Sequence, residues 1–204
     1  MRVRVALGVA LFGLLAACKP AAQPQPPAAS PTPTASPSAS PIPVVFEKGW
    51  PEFWRDPAHA IDVLNRTGAR IGDYRPRAGG RVAESLPTAL DLKATDRPNA
   101  VTIFVRGSKA RLDTLEYRLD LRQPDQSETA IKSVGEMIVN AFRVLGLPGG
   151  RDAAAALPTG NDWTMSVAGA DIQVRRAPAP DLGAGLDRIT VTFTRPGASA
   201  PANS

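Results

Sequence analysis

"LDTLEYRLDLR", residues 112–122, is the stretch on which the reading of the fold turns. Leu115, Tyr117, Leu119 and Leu121 alternate with Glu116, Arg118, Asp120 and Arg122. A period of two belongs to a β-strand, and alternation of apolar with charged residues means that one face is buried and the other solvated. Strands covered on one side only belong to antiparallel sheets, because parallel sheets are buried on both faces and read as unbroken apolar runs. The stretch therefore predicts a strand of an antiparallel sheet, with other elements packed on its leucine side.

The same alternation recurs on either side. Val101, Ile103 and Val105 alternate with Thr102 and Phe104, and Trp163, Met165 and Val167 with Thr164 and Ser166. A tight turn at Gly169-Ala170 leads to Ile172 and Val174, and Ile189, Val191 and Phe193 alternate with Thr190, Thr192 and Thr194. Leu86 to Leu92 is a weaker strand, interrupted by Pro87. Two helices precede the strand groups. Asp56-Pro57 supplies a cap and a first-turn proline for a helix over 56–66. A second helix is expected over 127–146, with a capping box of Asp125 and Glu128 and a stripe of Ile131, Val134, Ile138, Phe142 and Leu145. A short third helix is read over 151–157.

The order is helix, three strands, helix, three strands. The predicted class is α+β, an antiparallel sheet with helices on one face, built from two α-β-β-β halves at 45–122 and 123–195. The halves echo in letters. "ARLDTLEYRL" (110–119) matches "AGLDRITVTF" (184–193) at an offset of 74, and "NAVTIFVR" (99–106) matches "GADIQVRR" (169–176) at an offset of 70. The alternative is coincidence between alternating strands.

The flanks are of another kind. Met1-Arg2-Val3-Arg4 is followed by uncharged Val5 to Ala17, a stretch of about 20 Å as a helix, too short to span a bilayer of about 30 Å comfortably. A basic start, an apolar middle and small residues describe an export signal, residues 1–17. Leu15-Ala16-Ala17-Cys18 resembles the lipobox of bacterial lipoproteins. In that family the cysteine receives a diacylglycerol, the peptide is cut before it, and the new amino terminus is acylated. The resemblance implies acyl chains on Cys18, palmitate among them, and a domain held at a membrane of the cell envelope. Lys19 stands where retained inner-membrane lipoproteins carry Asp, which implies the outer membrane and a periplasmic domain. An ordinary secreted protein cut after Ala17 is the alternative. Lipidation also accounts for a single cysteine, since an unpaired thiol is a liability outside the cytosol. Residues 18–44 are rich in Pro, Ala and Ser and read as a disordered tether. Residues 45–195 form one domain, and 196–204 a disordered tail.

The chain carries +5, but Arg2, Arg4 and Lys19 precede the domain and no acid does. Removing those three leaves 21 basic against 19 acidic residues, or +2, a poor balance for a nucleic-acid partner. His59 is the only histidine, and no free thiol stands beside it to build a triad or a zinc site. We read it as a surface or helix-packing residue. Asp91, Asp96, Asp113, Asp120 and Asp125 are carboxylates in number only, without a spacing that marks a glycosidase. No catalytic residue, cofactor or metal is expected.

Two clusters are candidate binding surfaces. Arg66, Arg70, Arg75, Arg77 and Arg81 read as a loop that holds phosphate or carboxylate groups, or as an ordinary solvated arginine-rich loop. Trp50, Phe53 and Trp54 read as a contact for sugar rings or a membrane interface, or as a cluster that folds back to close the core. In each case we prefer the plainer reading. The expected function is a non-enzymatic, membrane-tethered envelope lipoprotein whose domain binds an unidentified envelope protein or polymer. A carrier or sensor of an anionic lipid or glycan is the second reading, and an envelope hydrolase the third. In element order alone the halves resemble small lipoproteins of the outer-membrane barrel-assembly machinery, and no residue role is carried over from them.

Overall fold

The computed structural model describes residues 45–77, 79–91 and 96–198. The signal segment, Cys18, the tether and the end of the tail lie outside the described residues. The elements run α1 (Trp50–Arg55), α2 (Pro57–Arg66), β1 (Arg75–Arg77), β2 (Gly80–Glu84), β3 (Thr88–Ala89), β4 (Ala100–Gly107) and β5 (Leu112–Leu121). They continue with α3 (Ser127–Leu145), α4 (Gly150–Ala156), β6 (Trp163–Val167), β7 (Ala170–Pro178) and β8 (Asp187–Thr194). The fold is α+β, with all eight strands in one antiparallel sheet.

The strand order is β1-β2-β4-β5-β8-β7-β6, with β3 beside β4. Apart from the extra edge strand β1 and the short β3, it reads the same from both ends about the central pair β5-β8, β2-β4-β5 against β6-β7-β8. Across that pair Leu115 faces Phe193, Tyr117 faces Val191 and Leu119 faces Ile189, so inward residues meet inward residues. With the last strands held at their offset of 74, the ladder sets Val101 in the place of Ile172, and Ile103 in that of Val174. That is an offset of 71, not 70. The alignment by letters places Val101 over Asp171, and a one-residue slip exchanges the two faces of a strand.

Every helix buries side chains into the same core as the inward strand residues. Phe53, Leu64, Ile138, Phe142 and Ala153 join Leu115, Tyr117, Val174 and Phe193, and Ile61 packs against its edge. Helix α2 starts as its letters predict, with the Asp56 carboxylate accepting from the His59 N–H at 3.1 Å. The capping box at α3 does not form. Residues Pro124–Gln126 make a single 3-10 turn instead, and no side chain caps Ser127. The helix ends at Gly146, which takes a left-handed φ of 74°.

Four further features depart from the sequence reading. The aromatic stretch at 50–55 is a helix in its own right. The arginine-rich segment is a hairpin, β1 with β2, where a loop is expected. Pro87 limits the Leu86–Leu92 strand to two paired residues and leaves Leu86 exposed. The predicted turn at Gly169-Ala170 lies one residue earlier, since Ala170 already pairs with Val167.

Candidate functional site

The two faces of the sheet offer different chemistry. On the outward face, the alternate residues of the central strands join in arginine–carboxylate pairs. Glu116 is 4% exposed and accepts from Arg106 Nη1 at 2.5 Å and from Arg118 Nη2 at 2.9 Å. The guanidiniums of Arg106 and Arg118 also flank the Phe104 ring, at 4.9 and 4.3 Å from its centroid. Asp120 accepts from Arg122 at 2.9 Å and from Arg188 at 2.7 Å. Arg188 continues to Asp181, whose carboxyl it holds below the usual carboxylate range through that hydrogen bond. Outside this alternation, Asp113 stands at the irregularity in the β4–β5 ladder and accepts from Arg195 at 2.7 Å. Towards the far edge, Thr164, Gln173 and Arg175 stand exposed on the same face. Among the described residues no helix covers this face.

The inward face carries a cleft of about 550 Å³ where α2 stops short. Helix α2 has 10 residues and α3 has 19, about 15 against 28 Å. Beyond Arg66 the sheet is covered by the turn at 67–71. Asn65 pins that turn, donating to Ile71 O at 3.0 Å and accepting from Ile71 N at 2.6 Å. Arg70 sits within it at φ 50°, the left-handed region that a side chain seldom adopts without support. The floor comprises Val101, Ile103 and Tyr117, and the far wall is the α3 face of Met137, Asn140, Ala141 and Val144, with Arg143 at its rim. Arg66, Arg70 and Arg143 line the cleft, and among the described residues no acid does. Tyr117 is 1% exposed and its hydroxyl has no hydrogen-bond partner.

The arginines singled out in the sequence do not form one site. Arg66, paired with Asp62, and Arg70 belong to the cleft. Arg75, paired with Asp73 at 2.8 Å, and Arg77 stand on the outward side beside Val82 and Phe104. Arg81 lies over the Tyr74 ring and donates to Tyr74 O at 2.5 Å. Arg143 and Tyr117 escaped the sequence reading. They sit on other elements, and Tyr117 reads as one more core residue.

Trp50, Phe53 and Trp54 are 0%, 0% and 3% exposed. Trp50 stacks on Trp54 at 4.8 Å and on Phe193 at 5.3 Å, and the indole N–H groups donate to Pro148 O and Gly169 O. The three rings close the core and offer no face to a sugar or a lipid. His59 is exposed at the start of α2, with its ring edge on Phe46 at 5.4 Å. Asp91 accepts from Asn99, and Asp96 and Asp125 stand in the solvent. No group of three or more His, Cys, Asp or Glu that would hold a metal ion occurs among the described residues. Comparison of the chain with known protein families, curated proteins and solved structures finds no match.

Proposed function

We propose that the chain is a non-enzymatic envelope lipoprotein, tethered by acyl chains on Cys18 to the outer membrane in preference to the inner. Its periplasmic α+β domain binds a protein or an envelope polymer on the open face of the sheet. The observation that supports this reading is the outward face that no described helix covers, an array of arginines, carboxylates and threonines with Phe104 framed by two guanidiniums. Arginine and aromatic side chains are the groups that interfaces enrich. The carboxylates of that array are each held by arginine, so they stand as binding groups and not as a poised acid and base. Among the described residues no helix is long and apolar enough to cross a membrane, and the tether is assigned to Cys18.

Two measurements test the proposal together. Cys18→Ala should leave the membrane fraction, and retention at the wild-type level with the signal cleaved would contradict the anchor. Cysteines introduced at Thr164 or Gln173 should be shielded from a bulky maleimide in intact envelopes and react freely in the purified chain. Equal reactivity in both settings would remove the open face as the contact.

A further inference from the structure

The two ends of the sheet are finished differently. At one end β1 reads Arg-Pro-Arg, charged and with no N–H at Pro76 to offer a neighbour. At the other end β6 reads Trp-Thr-Met-Ser-Val, without a charge, a proline or a glycine. Its register against β7 shows which of its backbone groups are free. Val167 and Ala170 flank a two-residue turn and form a hydrogen-bonded pair, and the two kinds of pair alternate along an antiparallel ladder. Met165 and Trp163 therefore also bond to β7, while Thr164 and Ser166 direct their N–H and C=O groups away from it. Among the described residues no strand lies on that side. The side chains divide in the same way. Trp163, Met165 and Val167 stand opposite Val174, Ile172 and Ala170, which are buried, so they share the inward face. Met165 is nevertheless 38% exposed, and Leu86 is the other large apolar side chain left exposed among the described residues. The edge is held in place at its turn, where the Trp54 indole donates to Gly169 O at 2.8 Å.

From these we infer that β6 pairs with β6 of a second copy of this chain, antiparallel about a two-fold axis at Met165. A two-fold interface must be complementary to itself, and this strand is. Thr164 falls opposite Ser166 of the second copy, and each such pair exchanges both of its backbone hydrogen bonds. Met165 falls opposite Met165 of the second copy in a pair of the other kind, which brings side chains closest. Trp163 falls opposite Val167 of the second copy, so apolar residues meet on the inward face and hydroxyls on the outward face. No like charges meet, because β6 carries none. The β1 end, closed by Pro76, does not extend the assembly, which stops at two copies. The pairing joins the outward faces of both copies in one continuous sheet. A five-residue edge falls short of the roughly 1,200 Å² of a stable interface, so the dimer is weak and forms at high local concentration.

The test uses the full chain with Cys18→Ala, so that an introduced cysteine is the only thiol. Sedimentation from about 1 µM to about 1 mM should show the mass rise from one chain to two and stop there. Met165→Lys and Met165→Asp each set like charges opposite one another and should weaken pairing by about fivefold or more. An equal mixture of those two variants should pair again, a rescue that misfolded chains would not show. Met165→Cys should form an intermolecular disulfide about tenfold faster than Glu136→Cys, exposed on α3, because the paired Cα atoms fall within disulfide range. The inference is overturned if the chain stays monomeric at the highest concentration or grows past the dimer. It is equally overturned if Met165→Lys pairs as the parent does, if the Lys and Asp variants do not pair when mixed, or if the two cysteine variants crosslink at the same rate.

Discussion

Replacement of Asn99 by Ala tests the join between the two halves of the fold. Asn99 is fully buried at the start of β4 and uses all its side-chain hydrogen-bonding capacity. Its Nδ2 donates to Asp91 Oδ1 at 2.7 Å and to Gln123 O at 3.1 Å. Its Oδ1 accepts from the backbone N–H of Arg122 at 2.7 Å and of Gln123 at 2.8 Å. The side chain thus ties the first long strand to the turn that launches α3. Alanine leaves two backbone N–H groups without acceptors. A buried orphan costs about 1–3 kcal/mol, and these sites are part-buried, so about 1 kcal/mol each is the sounder figure. Losing the bonds to Asp91 and Gln123 adds about 1 kcal/mol in total. The expected loss is about 3 kcal/mol, a large share of the 5–15 kcal/mol or so that holds an ordinary domain together. Urea unfolding followed by tryptophan fluorescence should show a lower midpoint at an unchanged slope, and Tm should fall by roughly 10 °C. Asn161→Ala, at an exposed loop position, should stay within about 0.5 kcal/mol of the parent. A loss below about 1 kcal/mol in Asn99→Ala would refute the argument that these bonds join the halves.

The remaining predictions concern a turn and the tyrosines. A Cβ on Gly149, at φ 92°, would lie 2.4 Å from Ile172 Cδ1, whereas one on Gly68, at φ 95°, meets nothing within 4 Å. Gly149→Ala should therefore cost on the order of 2–4 kcal/mol and Gly68→Ala about 1 kcal/mol, and equal losses in chemical denaturation would contradict the packing around α4. The chain holds two tyrosines. Burial, reinforced by Asp113 against Arg81, pushes the Tyr74 phenol up to about 12, and burial pushes Tyr117 higher still. Both phenols then keep their protons in the folded chain above the unfolded value of about 10, so stability falls as pH rises from about 10 through 12. Spectrophotometric titration of the folded chain should show no tyrosinate near pH 10, and half-ionisation there would contradict the burial of both rings.

Legibility in the sequence followed the strength of the periodic signal. Helices α2 and α3 and the strands β4, β5, β6 and β8 are amphipathic over several repeats, and their extents lie within a residue or two of the expected ranges, whereas β7 runs four residues past the expected Val174, to Pro178. Helix α1 is too short to show a period, and its aromatics are buried on every side. The β1–β2 hairpin pairs Arg-Pro-Arg with Gly-Arg-Val, a stretch without apolar alternation, so composition suggests a loop where the ladder makes an edge. The middle-strand offset went astray because shared letters outweighed the face each residue occupies, and only the hydrogen-bond register distinguishes 70 from 71. The candidate sites were less legible than the fold. Arg66 and Arg70 are near neighbours in the chain, but Tyr117 and Arg143 reach the same cleft from a strand and a helix far along it. The outward network likewise joins β5 to β8 through Asp120 and Arg188, which no local spacing connects.

The central claim, that the domain works by contact through the open face of its sheet, is tested most directly by site-specific photocrosslinking in living cells. A photoreactive residue at Gln173, exposed and outward on β7, should give a defined adduct with an envelope protein or polymer. The same residue at Glu136, exposed on α3, should give none. Adducts from Glu136 with none from Gln173 would place the contact on the helical side and contradict the account.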